Sequence, residues 1–167
     1  MTEDLLDYSE MVTRTKEFYN SLNIDIPDER LEEVVISLTM PKYYEEFNDN
    51  RRNRRNNISL MNHHGALSTV GDAICASYWM LKKYTITSSQ YGLTKEKDAL
   101  TNNHLNIIGE KLLKDKLFAT NSDLTNSNPN KNKKSYATAF EAVIGFISLI
   151  DPDSVNRILN EYLKKEE

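Results

Sequence analysis

The chain has 167 residues, of which 39% are hydrophobic and 28% are charged, and its formal net charge at pH 7 is −4. This length suits one domain with a hydrophobic core rather than two, and the acidic balance excludes a surface that holds nucleic acid by overall charge alone. The longest apolar run, AVIGFISLI at 142–150, is too short to cross a bilayer.

The N-terminal segment MTEDLLDYSE is acidic and lacks the basic and apolar regions of a secretory signal, so we expect a cytoplasmic protein without a membrane helix. Cys75 is the single cysteine, which excludes an intramolecular disulfide framework and argues against a cysteine-based zinc site. We expect Cys75 to be a small residue of the core.

Apolar residues recur at helical spacing and β-branched alternation is nearly absent, which predicts an all-α single domain. The first helix is predicted over residues 3–22, and a second follows Pro27 and ends at Pro41. A short helix around PKYYEEF then leads to NDNRRNRRNN at 48–57, which its polar composition predicts to be a loop. The apolar stripe of the second helix is predicted to consist of Leu31, Val34, Val35 and Leu38.

A long helix is predicted from about residue 58 to 84, with apolar residues on more than one face, as expected of a helix surrounded by others. One or two amphipathic helices are expected within 94–118, followed by a mobile polar loop at 120–134. A second strongly apolar helix covers 136–150. A last helix starts at Pro152, and its predicted inward residues are Val155, Ile158, Leu159 and Tyr162.

Each of the two most apolar helices carries one carboxylate among small or apolar residues: Asp72 in VGDAI and Glu141 in AFEAV. An ionised carboxylate buried alone costs several kcal/mol, so it is paired, protonated or bound to a metal. Two acids that face each other repel and share a proton unless a cation lies between them, and Mg²⁺ is typically held by only one or two carboxylates. Gly71 and Gly145 would let the two helix backbones approach closely. The alternative is that each acid reaches solvent or pairs with an arginine from elsewhere.

Both helices resemble motifs of ribonuclease III. HGALSTVGDAI at 64–74 is similar to the signature helix of that family, and ATAFEAVIGFISLID at 137–151 is similar to its second metal-binding helix. NIDIPDERLEEVVISLTMPKYYEEF and GLTKEKDALTNNHL resemble the opening helices and the stretch between the motifs, so the resemblance covers most of residues 18–151. It implies a ribonuclease III endonuclease-domain-like helical bundle over 18–167, an N-terminal helical extension over 1–17, and no dsRNA-binding domain.

Position by position, Asp72 matches the signature aspartate and Glu141 matches the metal-binding glutamate. Three other acidic positions of the family fall on Gly65, Ser68 and Thr138. Mini-ribonuclease III, the standalone branch, has small residues at the same positions and a threonine where Thr138 lies, and it is active with the two remaining acids. The motifs are closest to that branch, whereas the opening helices resemble those of a full ribonuclease III catalytic domain.

The resemblance implies an endoribonuclease that cleaves double-stranded RNA with Mg²⁺, or Mn²⁺ as an alternative ion, and acts in ribosomal RNA precursor processing. Asp72 and Glu141 are the implied catalytic residues and metal ligands, and the resemblance also implies a homodimer through the signature helix. Ser68 and Thr138, one turn before the acids, are candidates either for positioning water or for helix packing. The alternatives are a catalytically inactive ribonuclease III-fold protein that binds structured RNA or a ribonucleoprotein, and a purely structural dimeric module.

Two basic segments immediately precede the motif helices and are candidate RNA contacts, or else solvated loops. His63 or His64 is a candidate RNA contact or a hydrogen-bonded structural histidine. Tyr78 and Trp79 are predicted core or dimer contacts. The basic candidates for RNA binding are Arg51, Arg52, Arg54, Arg55, Lys131, Lys133 and Lys134.

Overall fold

A computed structural model describes residues 5–62, 64–84, 89–93, 102–124 and 135–163. Within these ranges the regular structure is helical, apart from one isolated parallel bridge between Thr39 and Phe118, and the predicted all-α class is confirmed. Residues 90–93 are helical, and the helices whose bounds the structure gives are α1 (Tyr8–Ser21), a 3₁₀ turn (Asp28–Arg30), α2 (Leu31–Ser37), α3 (Pro41–Asp49), α4 (Arg51–Arg55), α5 (Gly65–Tyr84), α6 (Asn102–Leu113), α7 (Asn121–Leu124), α8 (Ser135–Ile150) and α9 (Pro152–Tyr162).

The helix α8 is the centre of the fold. It packs on α5 and α6 along much of its length and also contacts α2 and α9. Every residue from Ala139 to Ile147 is buried, as expected of a helix that is apolar on all faces. The prediction of a second apolar helix is confirmed, and it places Glu141 inside the protein.

The helix α5 is buried on one face only, so the prediction that it is surrounded is wrong. It begins at Gly65 rather than near residue 58, because residues 58–62 are not helical. Its buried residues recur every four positions, which defines a single stripe. The opposite face is open, with Val70 41% and Leu81 72% exposed. The buried positions of α5 are Gly71, Cys75, Trp79 and Lys83.

The N-terminal helices are shorter than predicted. Asp7 caps α1 by accepting a hydrogen bond from the backbone N–H of Glu10 at 2.8 Å, so the helix starts at Tyr8 and not at residue 3. The second helix ends at Ser37, and Pro41 starts α3 instead of ending α2. The predicted apolar stripe is confirmed, since Val34, Val35 and Leu38 are fully buried and Leu31 is partly buried.

The predicted loop NDNRRNRRNN is wrong. The helix α3 continues to Asp49, and α4 follows after a single residue. Asn50 caps α4, because its side-chain oxygen accepts from the backbone N–H groups of Arg52 and Asn53 at 3.0 and 3.2 Å. Asn50, one of the polar residues that suggested a loop, therefore holds the start of a helix.

The C-terminal half follows the prediction in outline. The helix α6 lies within the predicted 94–118 region, and residues 94–101 lie outside the described residues. Residues 121–124 form the short helix α7, so the predicted loop is wrong there, and 125–134 lie outside the described residues. The helix α9 starts at Pro152 as predicted, with Val155, Ile158 and Leu159 buried. In the part of the chain that the structure describes, no helix combines the length and apolar character needed to span a membrane.

Candidate functional site

The helices α5 and α8 touch backbone to backbone at two glycines. A β-carbon on Gly71 would lie 1.7 Å from the carbonyl oxygen of Glu141, and one on Gly145 would lie 2.1 Å from the carbonyl oxygen of Leu67. Residue 67 is paired with 145 and residue 71 with 141, so the numbering rises along α5 while it falls along α8. The two helices are therefore antiparallel. The close approach predicted from the two glycines is confirmed, and it fixes Asp72 beside Glu141.

The two acids differ in exposure. Glu141 is only 7% exposed, whereas Asp72 lies on the solvent side of α5. The prediction that Asp72 is a buried carboxylate is therefore wrong: Gly71 and Cys75 beside it face the core, but Asp72 itself is exposed. No lysine or arginine of the described residues forms an ion pair with either acid. The arrangement is one acid facing another.

The electrostatics of the pair are set by Glu141. Burial, then a side-chain hydrogen bond with Asp72 and the charge of Asp72, raises the pKa of Glu141 to about 8. Its Oε2 atom is buried and has no hydrogen-bond donor among the described residues. Two ionised carboxylates can only accept hydrogen bonds, so the pair either shares a proton or binds a cation. The orphaned Oε2 therefore fits a cation site.

Cys75 lies one turn after Asp72 and is 1% exposed. Burial, then the charges of Glu141 and Asp72, raises the pKa of its thiol well above the usual range. The thiol therefore stays protonated and is a poor metal ligand, which agrees with the prediction of a core cysteine. The described residues contain no group of three or more His, Cys, Asp or Glu side chains placed to hold a metal. Two carboxylates alone are a donor set that suits Mg²⁺.

The hydroxyl groups before the two acids are in different situations. The Ser68 hydroxyl donates to the carbonyl oxygen of Gly65 in its own helix at 2.9 Å, so its one proton is used within the helix. Thr138 is half-buried one turn before Glu141. Ser68 is likewise half-buried, one turn before Asp72.

The histidines and aromatic residues singled out from the sequence face inward or contact the protein itself. His64 is 1% exposed, and His63 lies outside the described residues. Trp79 is buried, with the ammonium of Lys83 over its ring at 4.8 Å. The Tyr78 hydroxyl donates to the side chain of Asn160. In this chain Tyr78 and Trp79 therefore make internal contacts.

The basic candidates are not part of the carboxylate site. Arg51, Arg52, Arg54 and Arg55 are exposed on α4, and α4 packs on α3, whereas α5 and α8 pack on each other. The arginines therefore lie on a different helix from either carboxylate, and that helix packs on neither α5 nor α8 to a comparable extent. The lysines at 131, 133 and 134 lie outside the described residues.

One positioning residue was missed by the sequence reasoning. The side-chain oxygen of Asn106, on α6, accepts from the backbone N–H groups of Tyr136 and Ala137 at 3.1 and 3.2 Å. It thereby caps the helix that carries Glu141, from a position 30 residues away in sequence. No local pattern signals such a tertiary cap.

No family model, no curated protein and no solved structure matches this chain. The site itself therefore carries the functional argument. Its essential elements are a buried glutamate with a raised pKa, an exposed aspartate, and two glycines that bring their helices together.

Proposed function

We propose that this chain is a Mg²⁺-dependent endoribonuclease of the ribonuclease III type that hydrolyses phosphodiester bonds in double-stranded RNA. The observation that carries the proposal is the buried Oε2 of Glu141, which has no donor among the described residues and whose carboxyl group faces Asp72. A divalent cation compensates both charges at once. The similarity of the two helices to the ribonuclease III motifs supplies the reaction class.

The two carboxylates have different roles in this proposal. Glu141, fixed by burial, and Asp72, exposed to solvent, would jointly hold the ion, and a large substrate can approach from the side of Asp72. When bound, Mg²⁺ supplies activation of water for in-line attack and stabilisation of charge on the scissile phosphate. Thr138 orients water through its hydroxyl, and Ser68 lines the helix contact. Mn²⁺, which prefers similar ligands, is the alternative ion.

A homodimer is part of the proposal, and the open face of α5 supports it. This face consists of exposed, uncharged residues at helical spacing of three to four positions: Val70, Ala73, Ser77 and Leu81. An uncharged helix face of this kind suits an isologous contact with the same face of a second copy. A dimer would place one carboxylate pair on each side of an RNA duplex, so that each pair faces one strand.

A non-cutting protein is the second candidate. Gly65, Ser68 and Thr138 stand where other acids occur in the motifs that this chain resembles, so only two carboxylates remain for the ion. Such a protein binds structured RNA or a ribonucleoprotein through the same fold and leaves the phosphodiester bonds intact.

The test is incubation of the purified protein with a labelled RNA duplex in Mg²⁺ or in EDTA. We expect cleavage in Mg²⁺ only, and its loss in Asp72→Asn and in Glu141→Gln. Asp153→Asn and Glu161→Gln, which change exposed acids of α9, are matched controls and should cut like the wild type. An intact duplex in Mg²⁺, or cutting by the two site variants at the wild-type rate, would refute the nuclease. Binding without cutting would support the second candidate.

A further inference from the structure

Two asparagines hold the short helix α4 in place by hydrogen bonds, and its four arginines are exposed. Asn50 caps its N-terminus. The side chain of Asn53 is 4% exposed and donates to the carbonyl oxygen of Phe47 at 2.8 Å, which ties the inner side of the turn to α3. The carbonyl oxygen of Asn53 also accepts from Ile58 N–H at 2.8 Å and fastens the chain that leaves the helix. The inner side of α4 is thus fixed by hydrogen bonds.

Three of the four arginines of α4 have no acidic partner among the described residues: Arg51, Arg52 and Arg55. Arg54 lies 3.4 Å from Asp49, and both side chains are more than two-thirds exposed, so that pair contributes little stability. The remaining charges are concentrated within one five-residue turn of a chain whose net charge is −4. Their mutual repulsion lowers stability, and an anionic partner would offset it.

We propose that α4 is a docking surface for the phosphate backbone of an RNA duplex, and that it binds through Arg51, Arg52 and Arg55 at a position separate from Asp72 and Glu141. The identity of the polyanion rests on the proposed function. Guanidinium groups match phosphate oxygens in a bidentate geometry, and backbone contacts position a duplex without reading its sequence. Because the inner side of α4 is fixed, less conformational entropy is lost when its arginine side chains contact the phosphates together.

Two consequences follow from the separation of this surface and the carboxylates. Duplex binding through α4 does not need the ion, so it persists in EDTA. Removing the arginines weakens binding and raises KM but leaves kcat unchanged, because the groups at the scissile phosphate are intact. The binding also depends on salt, since each phosphate contact releases counterions.

The experiment measures the affinity of a fluorescently labelled RNA duplex in EDTA by anisotropy, at several NaCl concentrations, with the full chain. The variants are Arg51→Ala/Arg52→Ala/Arg55→Ala and the charge-retaining triple lysine variant at the same positions. The control removes the same amount of charge elsewhere through alanine at three exposed lysines, Lys16, Lys114 and Lys116. Alanine favours helix, so α4 stays folded. Circular dichroism checks this.

We expect the triple alanine variant to lower the slope of log K against log salt by about 2–3, at roughly 0.9 per lost contact. The lysine variant should keep most of the slope, and the control should keep all of it. Wild-type binding by the triple alanine variant, an equal loss in the control, or no duplex binding by the wild type overturns the docking surface. Cleavage in Mg²⁺ without any effect of the arginines overturns only the docking surface. Arginine-dependent binding without cleavage overturns only the nuclease.

Discussion

Gly71 lies directly against the backbone of Glu141, because a β-carbon at Gly71 would stand 1.7 Å from the Glu141 carbonyl oxygen and 2.5 Å from its carbonyl carbon. The obstacle is backbone, which cannot rotate away. We expect Gly71→Ala to push α5 from α8 and to lower the free energy of unfolding by about 1–3 kcal/mol or more, measured by urea titration. Asn156→Ala, at an exposed position of α9, is the control and should be neutral. A Gly71→Ala protein as stable as the wild type would contradict this contact.

The raised pKa of Glu141 predicts how stability depends on pH without metal. The folded chain keeps the Glu141 proton up to a pKa of about 8, whereas the unfolded chain releases it near the ordinary value of 4.5. The stability from the protonated acid is therefore fully present below pH 4.5 and is lost as the pH rises through 8. We expect a loss of a few kcal/mol across this window, measured by urea unfolding in EDTA.

Glu141→Gln isolates this effect, because the amide has no proton to lose. Its free energy of unfolding should be nearly flat over the same pH window, so that the variant exceeds the wild type in stability at pH values above the raised pKa. Glu161→Gln, at an exposed acid, should keep the wild-type pH dependence. If Glu141→Gln and the wild type lose stability in parallel, Glu141 is not the group that titrates.

The sequence was sufficient for the parts of this site that depend on residue type and spacing. Asp72, Glu141 and the two glycines stand out because polar or flexible residues are unusual in apolar helices, and α8 is identified by its continuous apolar pattern. The exposure of Asp72 was not predictable in the same way. Alanines and serines around it are compatible with either a buried or an exposed face, and only the packing of α8 decides between them.

Polar segments were the other source of error. The asparagines at 48–57 indicated a loop by composition, but two of them satisfy backbone groups at helix ends. Asn106 and Asp123 act on helices far away in sequence, so their roles depend on tertiary structure that no local pattern encodes. The fold class was therefore predictable, while the caps that fix the helix positions were not.

If a divalent cation binds between Asp72 and Glu141, it should stabilise the folded state, and this stabilisation should require both carboxylates. At ten times the dissociation constant, an ion that binds only the folded state adds about 1.4 kcal/mol. We expect Mg²⁺ or Mn²⁺ to raise the Tm of the wild type, and more so above the pKa of Glu141, where no proton competes for the site. Asp72→Asn should abolish the increase and Asp153→Asn should keep it. An equal increase in all three proteins would place the ion elsewhere.

Asp123 ties α7 to the start of α3. Its carboxylate accepts from the backbone N–H groups of Lys42 and Tyr43 at 2.9 and 3.1 Å, and from that of Thr120 at 2.9 Å. Asp123→Ala leaves these donors without their partner, so we expect a loss of about 1–2 kcal/mol in the free energy of unfolding. Asp25→Ala, at an exposed aspartate, is the control. Equal stabilities of the two variants would show that water replaces the carboxylate at no cost.

Because Asn106 caps α8, we expect Asn106→Ala and Asn106→Asp to differ in their free energy of unfolding. Asn106→Ala removes the acceptor from Tyr136 N–H and Ala137 N–H and should cost about 1 kcal/mol in the free energy of unfolding. Asn106→Asp keeps an acceptor and adds a negative charge at a helix N-terminus, which is favourable by about 0.3–1 kcal/mol, so it should equal or exceed the wild type. Hydrogen exchange of the first turn of α8 should become faster in Asn106→Ala only. Faster exchange in both variants, or in neither, would mean that Asn106 does not hold the helix that carries Glu141.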